Sequence, residues 1–148
     1  MFSALFLLFF FLSRYMIICI SGYTASGKDT AAEYVANKLN LSRVNFTFKD
    51  LAKERGIDLM KFQQMASEDG GKIDKEFDRR QVEEAKRLNK EKGGCIVSTW
   101  IGAWIIKNAD FRIFIKATKE ERARRLVGRG DVKTIEAVSY THLRAHET

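Results

Sequence analysis

Nine consecutive residues, Gly22-Tyr23-Thr24-Ala25-Ser26-Gly27-Lys28-Asp29-Thr30, gather the side chains and backbone freedom on which phosphate chemistry depends. Glycines at Gly22 and Gly27 let successive backbone N–H groups turn inward around phosphate oxygens, and Lys28 adds a mobile positive charge. A helix opening at Lys28 points the positive end of its dipole at the same anion. The spacing matches the phosphate-binding loop G-x-x-x-x-G-K-[ST] in every position but one. Asp29 stands where the usual hydroxyl holds Mg²⁺. A carboxylate reaches such a metal directly or through a water, and Thr30 follows it. Gly22, Ala25, Ser26, Gly27, Lys28, Asp29 and Thr30 are therefore the expected ATP-binding set, with Asp29 and Thr30 as the metal candidates.

Such a loop works only between a strand and a helix, and the flanking sequence supplies both. The apolar run Met16-Ile17-Ile18-Cys19-Ile20 precedes it. From Lys28 to Leu39, residues Ala31, Ala32, Val35, Ala36 and Leu39 fall on one stripe at helical spacing. A turn into a short second strand is expected over 41–46, and further strands at 95–100 and 111–116. Helices are expected at 47–55, closed by Gly56; at 59–68, capped by Asp58 with Leu59, Phe62 and Met65 inward; at 73–90; and from the capping box at Thr118 and Glu121 onward. Strands alternating with helices predict an α/β fold, a parallel sheet flanked by helices.

The chain has 148 residues, 45% hydrophobic and 30% charged, which suits one globular domain and excludes a disordered tail or linker. Its net charge of +7 is spread among acidic residues along helices, so a phosphorylated small molecule explains it without nucleic acid or an anionic membrane. Cys19 and Cys95 lie in apolar runs without metal-ligand spacing and read as buried, reduced thiols of a cytoplasmic protein. The Phe- and Leu-rich segment 1–15 is shorter than the about 20 residues of a membrane span and lacks a positive n-region and a cleavage site, so it is expected to be a non-native extension before a start at Met16, with a weak anchor as the alternative. Residues 139–148 match neither helical nor strand period and are expected to be foreign too. The domain then runs 16–138, with a last strand and helix missing.

Five segments of the chain resemble the nucleoside monophosphate kinases, most closely the compact archaeal-type cytidylate kinases. They are the loop; Phe48-Lys49-Asp50-Leu51-Ala52-Lys53-Glu54-Arg55-Gly56; the D-x-x-x-D-R-R-Q run from Asp74 to Gln81; the stretch from Trp104 to Asn108-Ala109-Asp110; and Glu120 to Arg129. The loop is generic, whereas the D-R-R-Q run and the N-A-D before a strand are far more specific. The resemblance implies ATP-dependent phosphoryl transfer to a nucleoside monophosphate, CMP or dCMP, with Mg²⁺. It also implies site roles. Lys49 with Arg79 or Arg80 would grip the acceptor phosphate, Asp78 would orient those arginines or the acceptor base, and Arg125 and Arg129 would form the lid over the donor, with Lys28 and Arg129 acting on the transferring group. Three positions depart from the family: Asp29; Lys49, where an arginine is usual; and Trp100, where a glycine-arginine pair normally meets the acceptor. A monomer is expected, without membrane or nucleic-acid partner.

Two rival readings stand beside this one. Trp100 favours a phosphate-loop kinase for another small acceptor. A non-catalytic nucleotide- or RNA-binding protein is the other, and the interspersed charges with no aromatic-basic clusters speak against RNA.

Overall fold

A computed structural model describes residues 15–130. Among them the order is β1 (Met16–Gly22), α1 (Lys28–Leu39), β2 (Ser42–Arg43), α2 (Phe48–Glu54), α3 (Leu59–Glu68), α4 (Lys72–Lys92), β3 (Gly94–Thr99), α5 (Gly102–Ile105), β4 (Phe111–Ile115) and α6 (Lys119–Gly128). The described strands form one parallel sheet in the order β2-β3-β1-β4. Met16 lies opposite Gly94 and Ser21 opposite Thr99, while Ile18 lies opposite Phe111 and Gly22 opposite Ile115. All strands thus deliver their carboxyl ends to one rim, as the predicted α/β architecture requires.

The apolar runs of β1 and β3 are continuous because both faces of these central strands are covered. Side chains alternate across the pleat. Ile18, Ile20 and Ile96 pack with Ala32 and Ala36 of α1 on one face. On the other, Ile17, Cys19, Cys95 and Val97 pack with Ala85 and Leu88 of α4 and Ile106. Each fully buried isoleucine in such a layer contributes roughly 1.5–3 kcal/mol. A satellite core of Leu51, Ala52, Phe62, Ala66 and Ile73 joins α2, α3 and the start of α4, with the Phe48 ring tilted against that of Phe62 at 4.9 Å between centroids. Both cysteines are buried, and desolvation pushes their thiols up, to about 11 for Cys19 and about 12 for Cys95, so they stay protonated.

Local signals set the helix boundaries. Thr47 and Thr118 form capping boxes with Asp50 and Glu121, and Asp58 accepts from the Met60 and Lys61 N–H groups. Asp69 accepts from the N–H groups of Gly71, Lys72 and Ile73, so α4 starts one residue before its expected position and runs on to Lys92.

Several expectations are corrected. Leu39 is exposed at the end of α1, beyond the sheet that its stripe covers. Met65 is also exposed, and Ala66 takes the inward place, one helical turn on from the buried Phe62. β2 is only two residues long, since Val44 leaves the ladder after its N–H bonds to the Ile96 carbonyl. The short helix α5 was not expected; it is one turn, and no periodicity marks so short a helix. The expectations for 1–15 and 139–148 lie outside the described residues, apart from Tyr15, whose N–H bonds to the Gly93 carbonyl. No helix among the described residues is long and apolar enough to cross a membrane.

Candidate functional site

The loop closes at the carboxyl end of β1, beside those of β3 and β4, where open α/β sheets hold their ligands. Gly22 is obligatory by contact: a Cβ there would lie 2.5 Å from Ser26 Oγ and 2.7 Å from the Ile115 carbonyl oxygen. Gly27 is obligatory by conformation, with φ of 96° at the N-cap of α1. Ala25 also takes a positive φ, 60°, and the Ser26 N–H closes a turn on the Tyr23 carbonyl at 3.0 Å. Ser26 Oγ is buried without a protein partner, a polar atom facing the inside of the loop. A buried oxygen left this way is costly unless a ligand or water meets it.

Lys28 is buried and lies 3.2 Å from Asp29 Oδ2. The other carboxylate oxygen, Oδ1, accepts from the Ser98 hydroxyl at 2.7 Å. Burial alone would raise the Asp29 carboxyl, but the Ser98 hydrogen bond, Lys28 and Arg43 together outweigh it and hold the group below the ordinary carboxylate value. Asp29 is therefore an anion at neutral pH, restrained from two sides.

The helix α6 stands over the loop. Ala123 and Leu126 pack on Ala25, and Arg125 Nη1 donates to the Ala25 carbonyl at 3.0 Å. Arg125 and Arg129 line one cleft of about 500 Å³ with Ser26, Gly27, Thr30 and Tyr34. The structure thus brings the loop and the two arginines expected of the lid to one place. Arg122 is buried, with its guanidinium carbon 4.9 Å from the centre of the Tyr23 ring. Arg124 is exposed.

The acceptor residues are less concentrated. Lys49 is exposed in the first turn of α2. Arg79 pairs with Glu83 on its own helix at 2.6 Å. Arg80 is clasped by Glu54 of α2 and lies 4.1 Å from the centre of the Phe46 ring. The two arginines find their carboxylates in Glu83 and Glu54; Asp78, expected to orient them or the acceptor base, is in neither of these pairs. Asp78 is half-buried, and desolvation, with a smaller contribution from Asp74, pushes its carboxyl up to about 6. Arg80 lines a second cavity of about 520 Å³ with Asn45, Phe46, Asp50 and Arg87, a cavity lined by neither Lys49, Asp78 nor Trp100. Trp100 is exposed just beyond the carboxyl end of β3.

Three contributors were missed. Ser98 is one. Ser21 Oγ accepts from the Ala103 N–H at 2.9 Å and ties α5 to the end of β1. Asp110 bonds Ile17 twice, its N–H to the Ile17 carbonyl at 2.9 Å and its carboxylate from the Ile17 N–H at 2.8 Å, so the N-A-D stretch sets the register in which β4 joins β1. Asp110 was visible as a motif but not as a clamp. Nothing in the sequence paired Ser98 with Asp29.

A parallel sheet, a glycine-rich loop between its central strand and a helix, and arginines over that loop define a P-loop protein. A family model described as an AAA domain matches residues 18–143. The chain is 40% identical over 123 residues to the cytidylate kinase of Methanocaldococcus jannaschii, covering 79% of this chain and 66% of the relative. It is 35% identical over 124 residues to that of Pyrococcus horikoshii, covering 82% and 62%, and 34% identical over 125 residues to that of Ignicoccus hospitalis, covering 82% and 69%. The chain belongs to this AAA-domain family, alongside the archaeal cytidylate kinases. It spans a little under two thirds of the length of the first two of these curated relatives.

Proposed function

We propose that the protein transfers the terminal phosphoryl group of ATP to a nucleoside monophosphate, CMP or dCMP. The observation that carries the reading is the single cleft shared by the loop residues Ser26, Gly27 and Thr30 and the arginines Arg125 and Arg129. The names of the relatives support the acceptor.

Phosphoryl transfer asks the protein for alignment and charge neutralisation more than covalent chemistry. In this reading the loop N–H groups and Lys28 hold the β- and γ-phosphates. Arg129 closes over the transferring group and Arg125, already tied to the loop, holds the donor. Lys49 with Arg79 or Arg80 grips the acceptor phosphate, and Asp78 faces the acceptor base. Trp100 borders the acceptor, and closure of α6 excludes water so that the nucleotide, not water, accepts.

The residues present fit Mg²⁺. This ion is commonly held by one or two carboxylates together with substrate phosphates, not by an all-protein cage. Asp29 is one anchored carboxylate, Thr30 adds a hydroxyl, and no cluster of three or more His, Cys, Asp or Glu exists among the described residues. Bound there, the ion would neutralise charge on the phosphates. The protein acts as a cytoplasmic monomer in this reading, and its two buried, reduced thiols agree with a reducing compartment.

An ADP-release assay with a panel of nucleoside monophosphates tests the assignment. Turnover with CMP or dCMP above other acceptors is expected. The exposed Trp100, in the place of the family's glycine-arginine pair, favours a second reading, a different small acceptor. ATP binding without turnover on any nucleotide would support that reading, and salt-sensitive RNA binding without ADP release would overturn both.

A further inference from the structure

Phosphate-loop proteins generally hold Mg²⁺ with a loop Ser or Thr hydroxyl and an acid from a different segment. In this chain the loop position carries the acid, Asp29, and the hydroxyl it meets comes from a different segment, Ser98 near the carboxyl end of β3. The two are sixty-nine residues apart and 2.7 Å from oxygen to oxygen. We propose that the donors have exchanged elements: Asp29 of α1 supplies the carboxylate and Ser98 of β3 the hydroxyl of one pair that faces the divalent cation, with Ser98 as its positioning residue. The inference rests on the nucleotide-site reading above.

The hydrogen-bond inventory favours the exchange. Ser98 gives its proton to Asp29 Oδ1, which leaves the hydroxyl's lone pairs for another partner. Asp29 Oδ2 is turned to Lys28 at 3.2 Å, so each oxygen of the carboxylate has one donor and keeps acceptor capacity. Asp29 remains exposed, with 62% of its side chain open, while β3 is buried on either side of the half-buried Ser98. A carboxylate restrained by a strand and by the neighbouring lysine is pre-oriented in the way that ligating carboxylates are usually supported by outer hydrogen bonds. The alternative, that Ser98 merely satisfies a surface acid, predicts no link between Ser98 and metal.

The test measures the affinity of the full chain for ATP in Mg²⁺ and again in EDTA and follows the ratio, with thermal unfolding as a control on folding. The parent is expected to bind at least about tenfold more tightly with Mg²⁺. Asp29→Ser, which leaves only hydroxyls and no carboxylate, should bring the ratio close to one. Ser98→Ala should reduce it several-fold, and Ser98→Thr should restore it. The double variant Asp29→Ser with Ser98→Asp rebuilds the ordinary arrangement and should recover a ratio within about threefold of the parent, a difference of well under 1 kcal/mol. Titration of Mn²⁺ into the ATP complex, read by its paramagnetic resonance, should follow the same order. A Ser98→Ala ratio equal to the parent's, in a protein that unfolds at the parent's temperature, overturns the pairing. A parent that binds ATP equally with and without metal overturns it too, and leaves the nucleotide site standing. No ATP binding in either buffer overturns the nucleotide site and the pairing together.

Discussion

Arg125 and Ala25 are a hundred residues apart in the chain, yet the Arg125 guanidinium donates to the Ala25 carbonyl at 3.0 Å. Ala25 sits at a positive φ in the loop, so this bond satisfies the backbone of a bend that L-residues adopt at a cost. An arginine from α6 therefore shapes the loop before any nucleotide arrives. Arg125→Ala should weaken ATP binding about tenfold, while Arg125→Lys, which keeps the charge but loses the planar fork, should recover only part of it. Titration calorimetry with ATP checks this, and an Arg125→Ala protein that binds ATP like the parent would remove Arg125 from the site.

Lys28 is buried beside the loop and its charge is directed at the phosphates in the proposed reaction. Lys28→Ala should abolish ADP release while the protein remains folded, because the ammonium contributes to the transferring group and not to the apolar layers. Residual turnover within about tenfold of the parent, a barrier difference of only about 1.4 kcal/mol, would defeat the assignment.

The two neighbouring arginines of α4 are expected to part company. Arg80 faces Glu54 and Phe46 across from α2, whereas Arg79 pairs with Glu83 along its own helix. Arg80→Ala should raise the acceptor KM about tenfold with ATP binding unchanged, and Arg79→Ala should shift it by less than about threefold, the range of a lost surface ion pair. Steady-state kinetics at saturating ATP distinguishes them, and equal effects would mean that the Glu54 clasp does not select Arg80.

Asp78 sets a pH dependence of stability. Its carboxyl is raised by burial from 3.8 to about 6 in the folded protein, so between about pH 4 and 6 the folded state holds a proton that the unfolded chain has released. Stability on this account falls as pH rises through that window, and the loss is complete above it. Asp78→Asn should stabilise the protein by about 1 kcal/mol at pH 7.5, after allowance for solvent screening of a half-buried group, and by far less at pH 4. Urea unfolding at the two pH values measures the difference, and an equal change at both would show that burial of charge is not the cause.

What the sequence determined by itself was everything decided within about a dozen residues. The apolar runs of β1 and β3, the stripe of α1 at Ala32 and Ala36, the caps at Asp58 and Thr118, and the glycines at Gly22 and Gly27 all state their structure through local sterics and hydrogen bonding, and all stand in the fold as read. The loop was legible for the same reason, since its ligand groups come from one turn of chain. Tertiary structure alone decided which distant groups meet. The strand order β2-β3-β1-β4 sets the end of β3 beside the start of α1 and so brings Ser98 to Asp29; the fold likewise draws α6 over the loop and gives Arg80 to Glu54 instead of Asp78. Gln81 shows the same limit: its side-chain amide is buried because it donates to the Phe46 carbonyl where β2 has left the sheet, a partner no helical period could name. Hydrophobic periodicity says which face of an element turns inward. It carries no information on which element waits there, because that depends on the order in which strands pair, and pairing is a property of the whole sheet.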